Sequence, residues 1–261
     1  MREKFEYKEP IFERGRVLKR ESWESIRDYP IDALNIQYEG YTNGIIRGLK
    51  ISVDSSERLI NIGRGLVKFN EKIYPINEMQ RIGYESSGVW EILKLKFADV
   101  LLDKDFRGQL IEIVLDEKEC KDNEIEVCRF KLKKGFALRD TYKDFEDMKT
   151  EYDTINLINA DWSGYERATF SESVLKVFAK EYLKTKEADS TDRNFCYMVL
   201  NTREALDIEI IEDYISYKLG KKVKSNDRSL IFNNLLEIMN MTSNLKLEKS
   251  VFNRPKKIIV D

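Results

Sequence analysis

The chain has 261 residues, enough for one large domain or two of ordinary size, and 42% of them are hydrophobic, which supports a real core. Its 45 basic residues nearly cancel 47 acidic ones, leaving a formal net charge of −2, which argues against a general binder of polyanions. There is no histidine, which removes histidine-based triads, general bases and metal ligands together.

The N-terminus, MREKFEYKEPIF, lacks the apolar core of a signal peptide, and no apolar run approaches the ~20 residues that span a bilayer. Synthesis in the cytoplasm without membrane insertion is therefore expected. Arg20 to Asp28 (RESWESIRD) predicts a short helix with Trp23 and Ile26 on one face, stopped before Pro30. From Pro30 to Tyr38 an irregular or extended chain is expected. Tyr38 to Ile76 is punctuated by Gly40, Gly44, Gly48, Gly63 and Gly65, with β-branched and aromatic runs between them. That spacing predicts tight bends joining short strands. Leu49–Val53, Leu59–Ile62, Gly65–Phe69 and Lys72–Ile76 read as a β-meander, with a hairpin turn at Asn70-Glu71.

In VWEILKLKFADV, Leu93, Leu95 and Phe97 alternate with Lys94 and Lys96, the period of a half-buried strand. Asp103 to Gly108 reads as a turn, followed by strands at Gln109–Glu117 and Glu124–Leu132. After Asp140 the pattern becomes helical. Tyr142–Asn156 is expected to be a helix, and the TFSE of Thr169 to Glu172 a capping box for a second. Ser190 or Thr191 would cap a third, carrying Phe195, Met198 and Val199. Leu206–Leu219 would end at Gly220 as its C′ residue, and Asp227–Met241 would follow. The tail, SVFNRPKKIIVD, carries Pro255 and is not expected to be helical. The fold class is therefore α+β. Residues 1–139 form an N-terminal extension plus a β-sandwich or barrel-like domain, and residues 140–261 an antiparallel helical bundle with a short tail.

No stretch demands chemistry. Gly63-Arg64-Gly65 is followed by a strand, whereas a phosphate-cradling loop needs a helix N-terminus behind its glycines. Ser163 in DWSG has no histidine and no lysine at motif spacing, so it reads as a turn or cap residue. Glu112, Glu117, Glu124 and Glu126 are expected to face solvent. A hairpin over residues 110–132 would set Cys128 opposite about Val114, so a Cys120–Cys128 disulfide would fight the pairing. Cys120, Cys128 and Cys196 are read as reduced thiols with no zinc spacing, and no cofactor or metal is expected. Arg129, Lys131, Lys133 and Lys134, with Phe130 among them, make the one basic cluster that could serve an alternative role as a nucleic-acid-binding module. The acidic Glu124 and Glu126 beside it speak against that role, and Lys256-Lys257 is too short to add a polybasic patch. Tyr38, Tyr41 and Tyr74 either line a partner surface or cover the core.

The order of the blocks carries more information than any single site. IFERGRVLKRESWESI precedes YEGYTNGIIRGLKISV, then LINIGRGLVKFNEKIYPI, then EVCRFKLKKGFALR. Over about the first 140 residues this order resembles the TssK family, the type VI secretion baseplate subunits and their shorter relatives in contractile phage tails and tailocins. In that family a G-x-x-L opening leads to a short aromatic helix, a Tyr–Gly chain enters a β-rich shell domain, and a helical bundle follows. The resemblance implies a non-enzymatic structural subunit of a contractile phage-tail-like particle. It would act as a homotrimeric adaptor linking wedge proteins to peripheral, tail-fibre or receptor-binding components. Carried over by position, the block around Phe12, Gly15, Leu18 and Trp23 would face the wedge proteins, and the helices after Asp140 would supply trimer contacts or hold a peripheral component. The chain has no room for the family's C-terminal domain, which docks on the membrane complex, so the implied adaptor is one without that dock.

Overall fold

The computed structural model describes residues 7–252 apart from 103, 106, 186 and 187. Helix α1 (Arg20–Gln37) runs straight through Pro30. The expected stop is therefore wrong. Proline removes one backbone donor and leaves the carbonyl four residues earlier without its bond. Here that carbonyl belongs to Ile26, an exposed residue, where water can satisfy it.

Among the described residues nine strands follow: β1 (Gly44–Gly48), β2 (Ile51–Asp54), β3 (Leu59–Ile62), β4 (Gly65–Phe69), β5 (Lys72–Ile76), β6 (Gln80–Gly83), β7 (Trp90–Leu102), β8 (Arg107–Asp116) and β9 (Glu124–Lys131). They form three antiparallel sheets, ordered β1-β4-β5, β2-β3-β6 and β8-β7-β9. Each sheet is open, so the barrel alternative fails. The expected meander fails as well, because β3 does not pair with β4. Instead the chain makes a bent ribbon: β1 pairs with β4, and past a corner β2 pairs with β3. At that corner the Leu49 N–H donates to Arg64 O and the Gly63 N–H to Lys50 O, so both strands switch sheets side by side. Gly48 allows the bend with φ +80°. The hairpin turn at Asn70-Glu71 is present, with positive φ at both residues (46° and 61°) as a type I′ turn requires.

The third sheet corrects two further expectations. β9 pairs with β7 and not with β8, so Cys128 lies opposite Leu93. All three cysteines are free, and burial first of all pushes the Cys120 and Cys196 thiols up to about 12. Lys94 is not on a solvated face. It is 1% exposed, with its ammonium 2.8 Å from Asp116 and 3.2 Å from Glu124. Burial works against that charge, but the two carboxylates outweigh it and raise the Lys94 pKa. Glu126 is likewise buried, paired with Arg129 at 2.6 Å, and the Glu124 side chain is nearly covered. Of the four glutamates expected in solvent, only Glu117 is exposed, while Glu112 is half-covered and paired with Lys96. Between β7 and β8, Asp103 and Phe106 of the expected turn lie outside the described residues.

Tyr142–Asn156 is not a helix. Only Glu146–Lys149 makes a 3-10 turn. Arg139 pins the segment by gripping Asp147 (2.6 Å) and Asp153 (3.0 Å), while Thr154 and Asn156 bridge to the backbone of Arg139 and Arg129. Backbone hydrogen bonds that a helix would use are spent on the sheet edge. Among the described residues four further helices follow: α2 (Glu172–Tyr182), α3 (Ser190–Asn201), α4 (Ile208–Leu219) and α5 (Arg228–Phe252). Ser171, not Thr169, caps α2, because Thr169 bridges to Trp162 and its hydroxyl donates to Leu206 O. Asp189 caps α3 in a reciprocal box with Asp192, one residue before the expected Ser190. Gly220 ends α4 in the left-handed conformation, as expected. The last helix extends well beyond Met241 to Phe252, so the tail's first residues are helical, while residues 253–261 lie outside the described residues.

Two apolar cores result. One gathers all three sheets around Ile45, Ile60, Ile62, Leu93, Leu95 and Val127, and it also takes Ile155, Ala160 and Trp162 from the segment before α2. The other surrounds Phe178, with Phe145, Tyr182, Phe195 and Tyr214 as ring neighbours. Leu157 packs against both. Arg228 joins the two sides by pairing with Asp161 (2.9 Å) and donating to Asn159 O (2.9 Å).

Candidate interaction surface

Helix α1 contrasts with every other helix here in having no buried residue. Its apolar side chains still recur at helical spacing: Trp23, Ile26, Pro30 and Leu34 share one stripe, with Tyr29 and Ile36 flanking it. Trp23 is 59% exposed and Ile36 73%, and only Leu34 on the stripe is partly covered. The segment before the helix continues the surface, with Ile11, Phe12 and Val17 also exposed. Tyr7 stacks on Tyr29 at 5.7 Å, and the Tyr29 hydroxyl donates to Lys8 O, which folds the first described residues along the helix. Ion pairs within the arm, Glu13–Arg16, Arg20–Glu24 and Arg27–Asp28, are solvent-exposed and add little stability. Hydrogen bonding from Arg27 holds the Asp28 carboxyl below its ordinary value.

The base of the arm is fixed. Tyr38, directly after α1, is 2% exposed, and its hydroxyl donates to Glu204 at 2.6 Å. Burial, and then that carboxylate, push the Tyr38 pKa up. Lys68 on β4 donates from its buried ammonium to Tyr38 O at 2.8 Å, placing a cation at the negative end of the helix dipole. Tyr41 meets Tyr38 edge-on at 5.3 Å and Tyr165 at 6.1 Å. Of the three tyrosines, Tyr38 covers the core, and Tyr74 packs partly buried against the β-side core. Gly44, with φ +144°, lets β1 approach the 161–163 segment, where a Cβ would come within 2.7 Å of Ser163 N. Ser163 itself donates to Thr42 O at 2.5 Å, so it fastens this junction. A clamped base and an exposed apolar stripe suit recognition of another macromolecule.

The residues singled out in the sequence fall on this arm, spread along it. Phe12 is 60% exposed, Gly15 sits in a turn with φ +87° and open space around it, Leu18 is partly covered, and Trp23 lies on the stripe. Sequence reasoning missed Tyr29, Ile31 and Ile36, because reading Pro30 as a stop hid the last two turns. The spacing of Ile26, Pro30, Ala33 and Leu34 was the available signal.

Two members of the basic cluster, Arg129 and Lys131, are paired with carboxylates where they stand. Arg129 pairs with Glu126 and Glu119, Lys131 lies 3.7 Å from Glu151, and Lys133 sits over the Tyr152 ring. Among the described residues no group of histidine, cysteine or acidic side chains is arranged to hold a metal, and no helix is long and apolar enough to cross a membrane.

Against known proteins, no family model matches the chain and no curated protein matches it. Among solved structures it is similar to a crystal structure of TssK, at 8% identity over 90% of this chain and 69% of that one, with a TM-score of 0.39. It is also similar to a chain of the type VI secretion TssK–TssF–TssG baseplate subcomplex, at 11% identity over 91% and 99%, with a TM-score of 0.39. A type VI baseplate complex gives 8% identity over 98% and 93%, with a TM-score of 0.26. Likeness at these scores decides neither fold nor function.

Proposed function

We propose that the chain is a structural, non-enzymatic baseplate subunit of a contractile phage-tail-like particle, such as a phage tail, tailocin or secretion system. It is a homotrimeric adaptor, made in the cytoplasm and assembled into the particle. In this reading residues 1–139 form the N-terminal arm and shell domain, and residues 140–261 a helical bundle that supplies trimer contacts or holds a fibre or receptor-binding component. The arm, with Phe12, Gly15, Leu18 and Trp23, faces the wedge proteins.

The observation that carries the reading is α1: an amphipathic helix clamped at its base whose apolar stripe, among the described residues, has no buried member. Burying a fully exposed large apolar side chain contributes roughly 1.5–3 kcal/mol; Trp23 and Ile26 are about half exposed, so covering both would contribute roughly 2–3 kcal/mol before the costs of association. The order of sequence blocks that resembles the baseplate family supports the identity of the assembly. The test is light scattering on the full chain, followed by affinity capture with mass-spectrometric identification. A three-copy mass, with wedge subunits in the captured material, is expected. A monomer at every concentration that captures no tail-particle subunit would sink the reading.

A further inference from the structure

A cleft of about 300 Å³ lies where the two cores meet, between the start of β7, β9, the 149–159 segment and the first turns of α5. It exists because Tyr142–Asn156 is not a helix. The Arg139 clip lays that segment along the sheet edge, and the backbone bridge between Arg129 and Asn156 brings Asn156 to the cleft wall. A volume at the lower end for small-molecule sites leaves room for one ring-sized ligand and not for a length of polypeptide.

The polar groups of the wall have capacity to spare. Asn156 is 7% exposed, and its Oδ1 accepts from the Ile158 N–H at 2.8 Å, but its amide nitrogen donates to no described residue. A buried donor without a protein partner is ordinarily met by water or by a ligand. Asn159 stands on the same segment, with Ser229 and Asn233 on α5, and among the described residues none of these side chains is hydrogen-bonded. Three amides and a hydroxyl offer donors and acceptors together. Half-buried Trp90 adds an aromatic wall, and Ile158 and Phe232 an apolar floor.

The charges that border the cleft are already matched. Arg129 pairs with Glu126 at 2.6 Å, Lys149 with Glu146 at 3.0 Å, and Glu151 with Lys131 at 3.7 Å. The start of α5 is also taken, because the Ser229 and Leu230 N–H groups donate to Asp227 Oδ1. No cation or helix end is left over for a phosphate or carboxylate, so the fitting ligand is neutral. Polar groups from two elements suit a ring whose hydroxyls point in several directions, and not a flat base whose polar atoms lie in one plane.

We propose that this cleft binds a pyranose ring, as a free sugar or as the end residue of a glycan. The asparagine amides and Ser229 pair with the ring hydroxyls, and Trp90 packs against its C–H face. The site goes beyond the baseplate reading and depends neither on α1 nor on assembly, so either can fail without the other.

The test is saturation-transfer NMR on the full chain with glucose, galactose, mannose and N-acetylglucosamine, each as the free sugar and as its methyl pyranoside. N-acetylasparagine amide and adenine serve as controls. Two variants accompany it. Asn156→Asp keeps the Oδ1 that Ile158 uses and removes the amide donor. Ser229→Ala/Asn233→Ala strips the α5 side, and both positions are exposed, so this variant is expected to melt like the parent. At least one sugar should give saturable transfer that salt does not alter, weakened about fivefold or more in each variant. Binding of the methyl pyranoside as well assigns the site to a glycan end, and binding of the free sugar alone to a free sugar. No transfer from any sugar overturns the proposal. So does transfer that either folded variant retains in full, transfer abolished by salt, or binding of a control without any sugar.

Discussion

Helices α1 and α4 carry similar apolar patterns and meet opposite fates. In α4, Ile211, Tyr214 and Ile215 are buried, and Tyr214 stacks flat on Phe195 at 3.9 Å. In α1, Trp23 and Ile26 repeat at helical spacing and stay in solvent. An amphipathic pattern says that a face needs cover, not where the cover comes from. For α4 the cover is the rest of the chain. For α1 the described residues supply little cover, a partner is proposed to supply it, and the contacts at Tyr38 and Lys68 fix the base of the helix.

The sharpest way to break this contrast is to mutate both helical regions and compare stability. Phe178→Ala should cost about 3–5 kcal/mol in urea unfolding, since the ring is fully buried among four aromatic neighbours. A cost near zero would mean that the helical core is not packed as described.

The next effect tests the clip that replaces the expected helix at Tyr142–Asn156. Hydrogen bonding from the Arg139 guanidinium holds the Asp147 carboxyl well below the usual carboxylate range. The unfolded chain therefore binds the proton more readily than the native one does. The stabilisation is complete above the unfolded value of about 4 and is lost as pH falls through the lower folded value. Asp147→Asn should cost about 2 kcal/mol near neutral pH and flatten the acid limb of stability against pH. An unchanged acid limb would contradict the assigned pair.

Smaller still, Asp189→Ala should cost about 1 kcal/mol by removing the α3 cap, again read by urea unfolding. The smallest effect is the most telling. Trp23→Ala should change the stability of the isolated chain by less than about 0.5 kcal/mol, because more than half of the residue is exposed and it belongs to neither apolar core. A loss of 2 kcal/mol would show that α1 is part of the chain's own core.

What could be read beforehand was local. Asn70-Glu71 declares its turn because asparagine tolerates positive φ, and Gly220 ends α4 for a related reason. Strands β3, β4 and β5 emerge with their bounds because glycine and turn residues frame them. Pairing is non-local, and it escaped. Nothing near Cys128 says that β9 returns to β7 instead of β8, and that single choice buries Lys94, Glu124 and Glu126 together. Tyr142–Asn156 has helical spacing, but Arg139 draws Asp147 and Asp153 to itself and holds the segment on the sheet. The arm was half legible: its apolar residues were visible, while Pro30 concealed its length.

Hydrogen exchange along Arg20–Gln37 tests the central claim most directly, comparing the free chain with the complex captured on the tagged full-length chain. With no buried residue, α1 should exchange rapidly in the free chain, and its amides should slow at least tenfold in the complex while those of α4 stay unchanged. Equal exchange of α1 in both states, or no complex at all, would contradict the account.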